Sequence, residues 1–335
     1  MPPAEEGDDM GYKILVTGPE LTFEAIEIAS RRGARLVATG GYVGPEDLAA
    51  IASKENPDAI IVRLGKLPEQ VIAAAPNLKA IAKHGVGYDS IDIDAAARRG
   101  IPVMVARGAN SQSVAELALT LIFAVARDVA HLDARMKSGH WDKATTNGVQ
   151  LLGRSLGIVG FGEIGSILVG LVQPLRMKVR IFDPYMPADT RIEGAERVAS
   201  LDEIIASSDV ISLHCPLTAQ TRNMIGAEQI SRMRPGSILI NTARGGLIDE
   251  AALFDALRDG KIGGAGLDSF AEEPVRPDHP LLTLPNVVAT PHAGASTQAA
   301  RVAMGTIAVD HVMNVLEGKT VDSRAIVNRP HLRVA

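Results

Sequence analysis

Leu156–Asp183 reads LGIVGFGEIGSILVGLVQPLRMKVRIFD, and its punctuation decides the fold. Leu156, Ile158 and Val159 form a short apolar run ending at a glycine, the pattern of a buried strand. Gly160, Gly162 and Gly165 then give G-x-G-x-x-G, and Ile164, Ile167, Leu168 and Leu171 follow at helical spacing. A second apolar run, Val179–Phe182, ends at Asp183, eighteen residues past Gly165. Strand, glycine turn, helix, strand and acid together predict a dinucleotide site. The first glycine permits the tight turn, the second lets a pyrophosphate approach the backbone, and the third lets helix and strand pack closely. The helix N-terminus supplies unpaired N–H groups and a positive dipole end for the phosphates. Asp183 can accept hydrogen bonds from ribose hydroxyls. Two other readings compete: a purely structural βαβ turn, and a methyltransferase, whose cofactor ribose is also held by an acid after the second strand.

Outward from this stretch, the 335 residues suit about two domains, and 46% hydrophobic content is enough for sizeable cores. The net charge of −5 carries no electrostatic footprint for nucleic acid, so an anionic substrate must meet local cations. Cys215 is the only cysteine, which excludes an intrachain disulfide and predicts a reducing, cytoplasmic setting. Glu5, Glu6, Asp8 and Asp9, with no apolar run among them, do not make a secretory signal. Residues 1–11 are expected to be a disordered lead. The most apolar helix, Val114–Ala126, carries Glu116 near its start, is followed by Arg127 and is too short to span a bilayer, so no membrane partner is expected.

Before the glycine turn the pattern alternates. Apolar runs at Ile14–Thr17, Leu36–Ala38, Ala59–Val62, Ala80–Ala82 and Val103–Val105 are separated by helical stretches such as Leu21–Arg32 and Ile91–Arg99. Both of those helices stop at Arg-Arg-Gly, cations on the negative dipole end followed by a C′ glycine. Such alternation means a parallel sheet covered by helices. Ala106–Asn110 reads as a hinge around Gly108, and Ser113-Val-Ala-Glu116 matches a capping box, which makes Glu116 a cap rather than a catalyst. His131–Gln150, polar and holding Trp141, reads as an arm or a subunit contact. After Asp183, strands are expected at Val210–Leu213, Ser237–Asn241, Gly264–Asp268 and Val287–Thr290, with helices at Leu201–Ser207 and Glu250–Asp259. A last helix, Ser296–Glu317, is expected to pack back on the first domain. The predicted class is α/β with two doubly wound parallel sheets. A Rossmann cofactor domain, 108–292, is inserted into a flavodoxin-like substrate domain made of 1–107 and 293–335.

Ligands of parallel sheets sit beyond the carboxyl ends of the strands. Three of the expected strands run into polar residues there: Thr242-Ala243-Arg244-Gly245-Gly246, Asp268-Ser-Phe-Ala-Glu272-Glu273-Pro274, and Thr290-Pro291-His292. Alone, Arg244 reads as a surface cation, Glu273 as a loop acid and His292 as a helix cap. On successive strand ends of a dinucleotide domain they describe chemistry. A histidine titrates near neutral pH and passes a proton, a carboxylate orients and charges its ring, and an arginine fork binds a carboxylate. With a nicotinamide, these make hydride transfer to a 2-keto acid. Arg63 and Lys83, at the ends of two strands of the first domain, suit a second anionic group or are solvated surface cations.

The segments LKAIAKHGVGYDSIDIDAA, ANSQSVAELAL, GRSLGIVGFGEIG, LHCPLTAQTRNMI, LINTARGGLIDE, GLDSFAEEP and ATPHAGAST stand in this order. From about Ile14 to Val327 the chain resembles the D-isomer-specific 2-hydroxyacid dehydrogenases, and within them the phosphoglycerate dehydrogenase branch. The resemblance implies NAD as cofactor, no metal, a small anionic 2-hydroxy or 2-keto acid as substrate, and a homodimer or dimer of dimers. It makes Arg244, Glu273 and His292 the catalytic set, with Arg244 on the substrate carboxylate, His292 the acid/base and Glu273 its partner. Asp268 would hold the nicotinamide amide. Gly160, Gly162, Glu163, Ile164, Gly165, Asp183, Cys215, Thr242 and Ala243 would line the cofactor, and the backbone of Val86 and Gly87 would meet the substrate carboxylate from the other domain. The chain stops at Ala335, so the branch's regulatory C-terminal domains are not expected. The usual D-V-F is Asp268-Ser269-Phe270 here, and Cys215 stands where threonine is frequent, as a packing residue or a redox-sensitive thiol. Hydroxypyruvate or glyoxylate reductase is the alternative activity. A non-catalytic NAD-sensing corepressor on the same fold is the alternative of another class.

Overall fold

The structure, a computed structural model, describes residues 11–187 and 189–332; the expected lead, Gly11 apart, lies outside them. The chain divides into two compact units. Unit 1 takes the chain to Asn110 and resumes at Ser296, and unit 2 is Ser111–Ala295. The sequence places the joints three residues earlier, at 107/108 and 292/293.

Unit 1 opens with β1 (Tyr12–Thr17), α1 (Phe23–Arg31), β2 (Ala34–Ala38), α2 (Pro45–Glu55), β3 (Ala59–Val62), α3 (Glu69–Ala73), β4 (Ala80–Lys83), α4 (Ile93–Arg98) and β5 (Val103–Val105). Unit 2 holds α5 (Ser111–Ala126), α6 (Val129–Lys137), β6 (Ser155–Val159), α7 (Glu163–Val172), β7 (Lys178–Phe182), β8 (Ala195–Arg197), α8 (Leu201–Ser207) and β9 (Val210–Leu213). It continues through α9 (Ala227–Arg232), β10 (Ile238–Asn241), α10 (Glu250–Arg258), β11 (Gly264–Leu267) and β12 (Val287–Ala289). The last helix, α11 (Gln298–Leu316), belongs to unit 1.

In unit 1 the sheet order is β2-β1-β3-β4-β5 with every pair parallel, the flavodoxin-like order. Side-chain alternation explains its two faces. Leu15, Ile60, Val62, Ile81 and Val103 pack under α2, α3 and α4. Ile14, Val16, Ala59, Ile61, Ala80 and Ala82 face α1 and α11, whose contributions include Ala308, Val309, Val312 and Met313. Alanines on that face let α11 lie close to the sheet. The Arg-Arg-Gly stops are as expected: Gly33 and Gly100 have φ of 71° and 69° just past α1 and α4. Arg32 also ties α1 to α11, bonding Glu317 at 2.8 Å and Asn314 at 2.8 Å.

In unit 2 the order is β12-β11-β10-β9-β6-β7-β8, again all parallel, the Rossmann order with one strand added. One face, with Leu156, Ile158, Val210 and Ile240, packs on α5 and α7. The other, with Ile211, Leu213, Leu239 and Leu267, packs on α8, α9 and α10. β8 was not foreseen, because Ala-Glu-Arg carries no apolar run. The capping box is corrected. α5 begins at Ser111, so Ser113 lies within its first turn, and the Glu116 carboxylate accepts a bond from Gln112 at 2.7 Å. No helix among the described residues is long and apolar enough to cross a membrane.

Candidate active site

The glycine turn follows β6 as the sequence requires. Gly160 has φ of 91°, and a Cβ there would stand 2.8 Å from the backbone of His214 and Cys215. A Cβ on Gly165 would meet the Gly160 carbonyl oxygen at 2.7 Å, so glycine is what lets α7 close onto the turn. A Cβ on Gly162 would meet nothing within 4 Å, leaving open the approach to the amino end of α7. Glu163 and Ile164 are the first residues of α7, and Ser111 donates to the Glu163 carboxylate at 3.1 Å. Asp183 follows β7; its oxygens accept the N–H of Phe161 and of Tyr185, each at 2.8 Å, so the acid also braces the glycine turn. Cys215 follows β9 beside Met224, and burial pushes its thiol up to about 11, which favours the packing role over the redox one. Thr242 follows β10, and its hydroxyl oxygen is buried with no hydrogen-bond partner among the described residues. An open cradle at Gly162, an acid at the second strand end and an orphaned hydroxyl at Thr242 fit a dinucleotide.

The ends of three strands hold the candidate chemistry. After β10, the Arg244 guanidinium donates to the Ala243 carbonyl at 2.7 Å, and Asn241 donates to the Arg244 carbonyl at 2.9 Å. After β11, Asp268 is 1% exposed, and its carboxylate accepts from the Thr290 hydroxyl, the Ala293 N–H and the Gly294 N–H at 2.6, 2.6 and 2.8 Å. Asp268 therefore anchors the loop after β12, with lone-pair capacity left over. Within that loop His292 takes φ of 51°, and its Nδ1 lies 2.8 Å from Glu273 Oε2. Glu273 Oε1 accepts the Phe270 N–H at 3.0 Å. Side-chain exposures of 46% for His292 and 38% for Glu273 leave both reachable.

Electrostatics couple the group. The hydrogen bond that the His292 ring donates to Glu273 raises His292 above its ordinary value of 6.5, against partial burial and the Arg244 charge, with the charges of Glu273 and Asp268 adding to the rise. Burial pushes the Glu273 carboxyl up, but the His292 bond, its charge, the Phe270 N–H and Arg244 outweigh it and hold Glu273 below its usual range. Unit 2 thus brings Arg244, Asp268, Glu273 and His292 together.

Unit 1 holds the other predicted residues. Val86 and Gly87 are half-buried in the turn after β4. Lys83 Nζ donates to the Arg63 carbonyl at 3.3 Å, and the Arg63 guanidinium donates to the carbonyls of Pro19, at 2.9 Å, and Glu20. Two residues that the sequence reading passed over join them. Burial, then the Arg63 and Lys83 charges, lowers His84 to about 4, and burial together with the Arg301 charge lowers Arg63. Arg301 sits in the first turn of α11, distant in sequence, and only the fold assembles this cationic cluster. Among the described residues no group of three or more His, Cys, Asp or Glu side chains is placed to hold a metal ion.

Residues 119–294 match the family model described as D-isomer specific 2-hydroxyacid dehydrogenase, NAD binding domain. The chain is 44% identical over 322 residues to a D-3-phosphoglycerate dehydrogenase of Methanocaldococcus jannaschii, covering 96% of this chain and 60% of that one. It thus spans less than two thirds of that relative. It is 40% identical over 309 residues to a hydroxypyruvate reductase of Thermotoga maritima, covering 91% and 98% of the two. The crystal structure of the TT0316 protein from Thermus thermophilus superposes with a TM-score of 0.84 at 36% identity, covering 92% and 97%.

Proposed function

The chain belongs to the D-isomer-specific 2-hydroxyacid dehydrogenase family, and on that premise we propose that it interconverts a D-2-hydroxy acid and its 2-keto acid with NAD. One bond carries the proposal. His292 Nδ1 is committed to Glu273, which leaves Nε2 as the nitrogen that faces a substrate oxygen. Bound NAD supplies the hydride exchange at the substrate carbon. In reduction, protonated His292 gives its Nε2 proton to the carbonyl oxygen and Glu273 stabilises the imidazolium before transfer. In oxidation, the neutral ring takes the proton from the hydroxyl. Arg244 binds the substrate carboxylate with its fork and polarises the neighbouring carbonyl. Gly160, Gly162, Gly165, Glu163, Ile164, Asp183, Cys215, Thr242, Ala243 and Asp268 would hold the cofactor.

For the substrate we favour 3-phosphoglycerate and its keto acid. The support is the cluster of Arg63, Lys83 and Arg301, which suits a second anionic group. Hydroxypyruvate is the second reading, favoured by the Thermotoga maritima relative of matching length. The reading extends to a cytoplasmic homodimer, in keeping with the free thiol of Cys215 and with exposed apolar residues on and after α6, Met136 at 54% and Trp141 at 75%. Steady turnover of NADH with a panel of 2-keto acids tests the activity. Tight NADH binding with no turnover on any of them would favour the corepressor instead. Arg63→Ala and Lys83→Ala should raise KM for phosphohydroxypyruvate more than for hydroxypyruvate, and an equal rise would select the smaller substrate.

A further inference from the structure

Glu250 opens α10 and has no part in the chemistry above, yet its carboxylate points away from its own helix. Oε1 accepts the Ala271 N–H at 2.7 Å, and Oε2 lies 3.3 Å from His279 Nε2. Both side chains are only 19% exposed. The His279 ring also meets the buried Phe270 ring edge-on, with centroids 5.6 Å apart at 75°. Two neighbouring backbone groups are therefore gripped, one by a carboxylate and one through its aromatic side chain. The Ala271 N–H belongs to the peptide joining Phe270 to Ala271, Phe270 also carries the N–H of the peptide before it, and these two linked peptides touch both halves of the proposed site. The Phe270 N–H holds Glu273 Oε1 at 3.0 Å. The Phe270–Ala271 peptide lies against Gly245, next to Arg244, so closely that a Cβ on Gly245 would fall 1.9 Å from the Phe270 carbonyl carbon. A shift of these peptides moves the acid that charges His292 and the backbone that carries Arg244.

We propose that Glu250 and His279 form a positioning pair that fixes the Phe270–Ala271 peptide and, through it, sets Glu273 against His292 and Arg244 in register with both. This rests on the proposed roles of those three residues. Neither member touches substrate or cofactor in this scheme. Their effect is on geometry, where displacements of an ångström cost about a hundredfold in rate.

The decisive measurement is the titration of the His292 ring by NMR in the intact protein with selectively labelled histidine, its signal assigned by its loss in His292→Ala. The groups that set this titration are Glu273, Arg244 and Asp268. Glu250→Ala should lower the His292 midpoint, in the same direction as Glu273→Gln, by on the order of half a pH unit or more. The same variant should lose about tenfold or more in kcat/KM for keto-acid reduction, with NADH affinity unchanged. Glu250→Gln keeps an acceptor for the Ala271 N–H and should restore both readouts. His279→Phe keeps the ring against Phe270 but loses the bond to Glu250, and should fall between. A Glu250→Ala protein that folds with His292 titrating as in the parent, while Glu273→Gln does shift it, overturns the positioning pair and leaves the His292–Glu273 reading standing. If Glu273→Gln leaves the midpoint unmoved, the His292–Glu273 reading fails and the pair has nothing to position. If Glu250→Ala destroys the fold, His279→Phe decides by the same titration.

Discussion

His292 pairs an uncommon backbone with a tuned side chain. A φ of 51° in a non-glycine residue costs on the order of 1–3 kcal/mol and persists only where the surroundings enforce it. Here Asp268 enforces it by holding the two following N–H groups. Because Glu273 raises the ring's pKa, imidazolium survives to higher pH, so the proposed reduction should extend upward and fail as pH rises through the raised value. Glu273→Gln should bring that upper limit down and let oxidation persist to lower pH; pH profiles of kcat/KM in both directions check this. His292→Ala should cost about a hundredfold or more in turnover while NADH still binds, measured by fluorescence titration beside the rate. At Asp183 a 2′-phosphate would meet a carboxylate, and juxtaposed like charges cost several kcal/mol, roughly two decades or more in favour of NAD. Equal kcat/KM for NAD and NADP would mean that the acid serves only to brace the glycine turn. Arg244, Glu273 and His292 were legible as residues because each follows an apolar run. The anchoring of the His292 loop by Asp268 was not, since its partners lie some twenty-five residues further along.

Among the elements, β11 shows how sequence can be plain while its reason stays hidden. Its Gly-Ala-Gly-Leu is readable as a strand, but only the packing explains the glycines. A Cβ on Gly264 would stand 2.6 Å from the Val125 side chain, and one on Gly266 would stand 2.9 Å from Leu121 Cβ. Both contacts are with α5, which crosses that strand closely. Gly266→Ala should therefore overpack the seam and destabilise unit 2 by about 1–3 kcal/mol, read as a lowered Tm, with NADH binding retained at temperatures where the protein is folded. Strong apolar periodicity made most elements visible. It failed at β8, which is mostly exposed and charged, and at the start of α5, where a matching motif lay inside a helix that began earlier. Local patterns cannot tell a cap from a first turn when small polar residues run through both.

For the molecule as a whole, the two sheets differ in how the chain supplies them. Unit 2 comes from one uninterrupted segment with cores on both faces of its sheet. Unit 1 needs α11 to cover Ile14, Val16, Ile61 and their neighbours. A fragment spanning 111–295 should fold cooperatively and bind NADH by itself, whereas 1–110 should stay partly unfolded, regaining native-like circular dichroism when 296–335 is joined through a short linker. A fully folded 1–110 fragment would show that α11 is dispensable to its sheet. During synthesis the same arrangement imposes an order in time. Strands β1–β5 leave the ribosome with one apolar face covered only by α1, and the helix that completes the cover is encoded only after all of Ser111–Ala295. At about 5–20 residues per second that delay is roughly ten to forty seconds, during which the newest segment can complete its own fold while the oldest waits exposed to chaperones or to its neighbours on the polysome. The yield of this protein in a cell should accordingly depend on translation speed across Ser111–Ala295 and on holdase capacity, even for variants whose finished stability is unchanged.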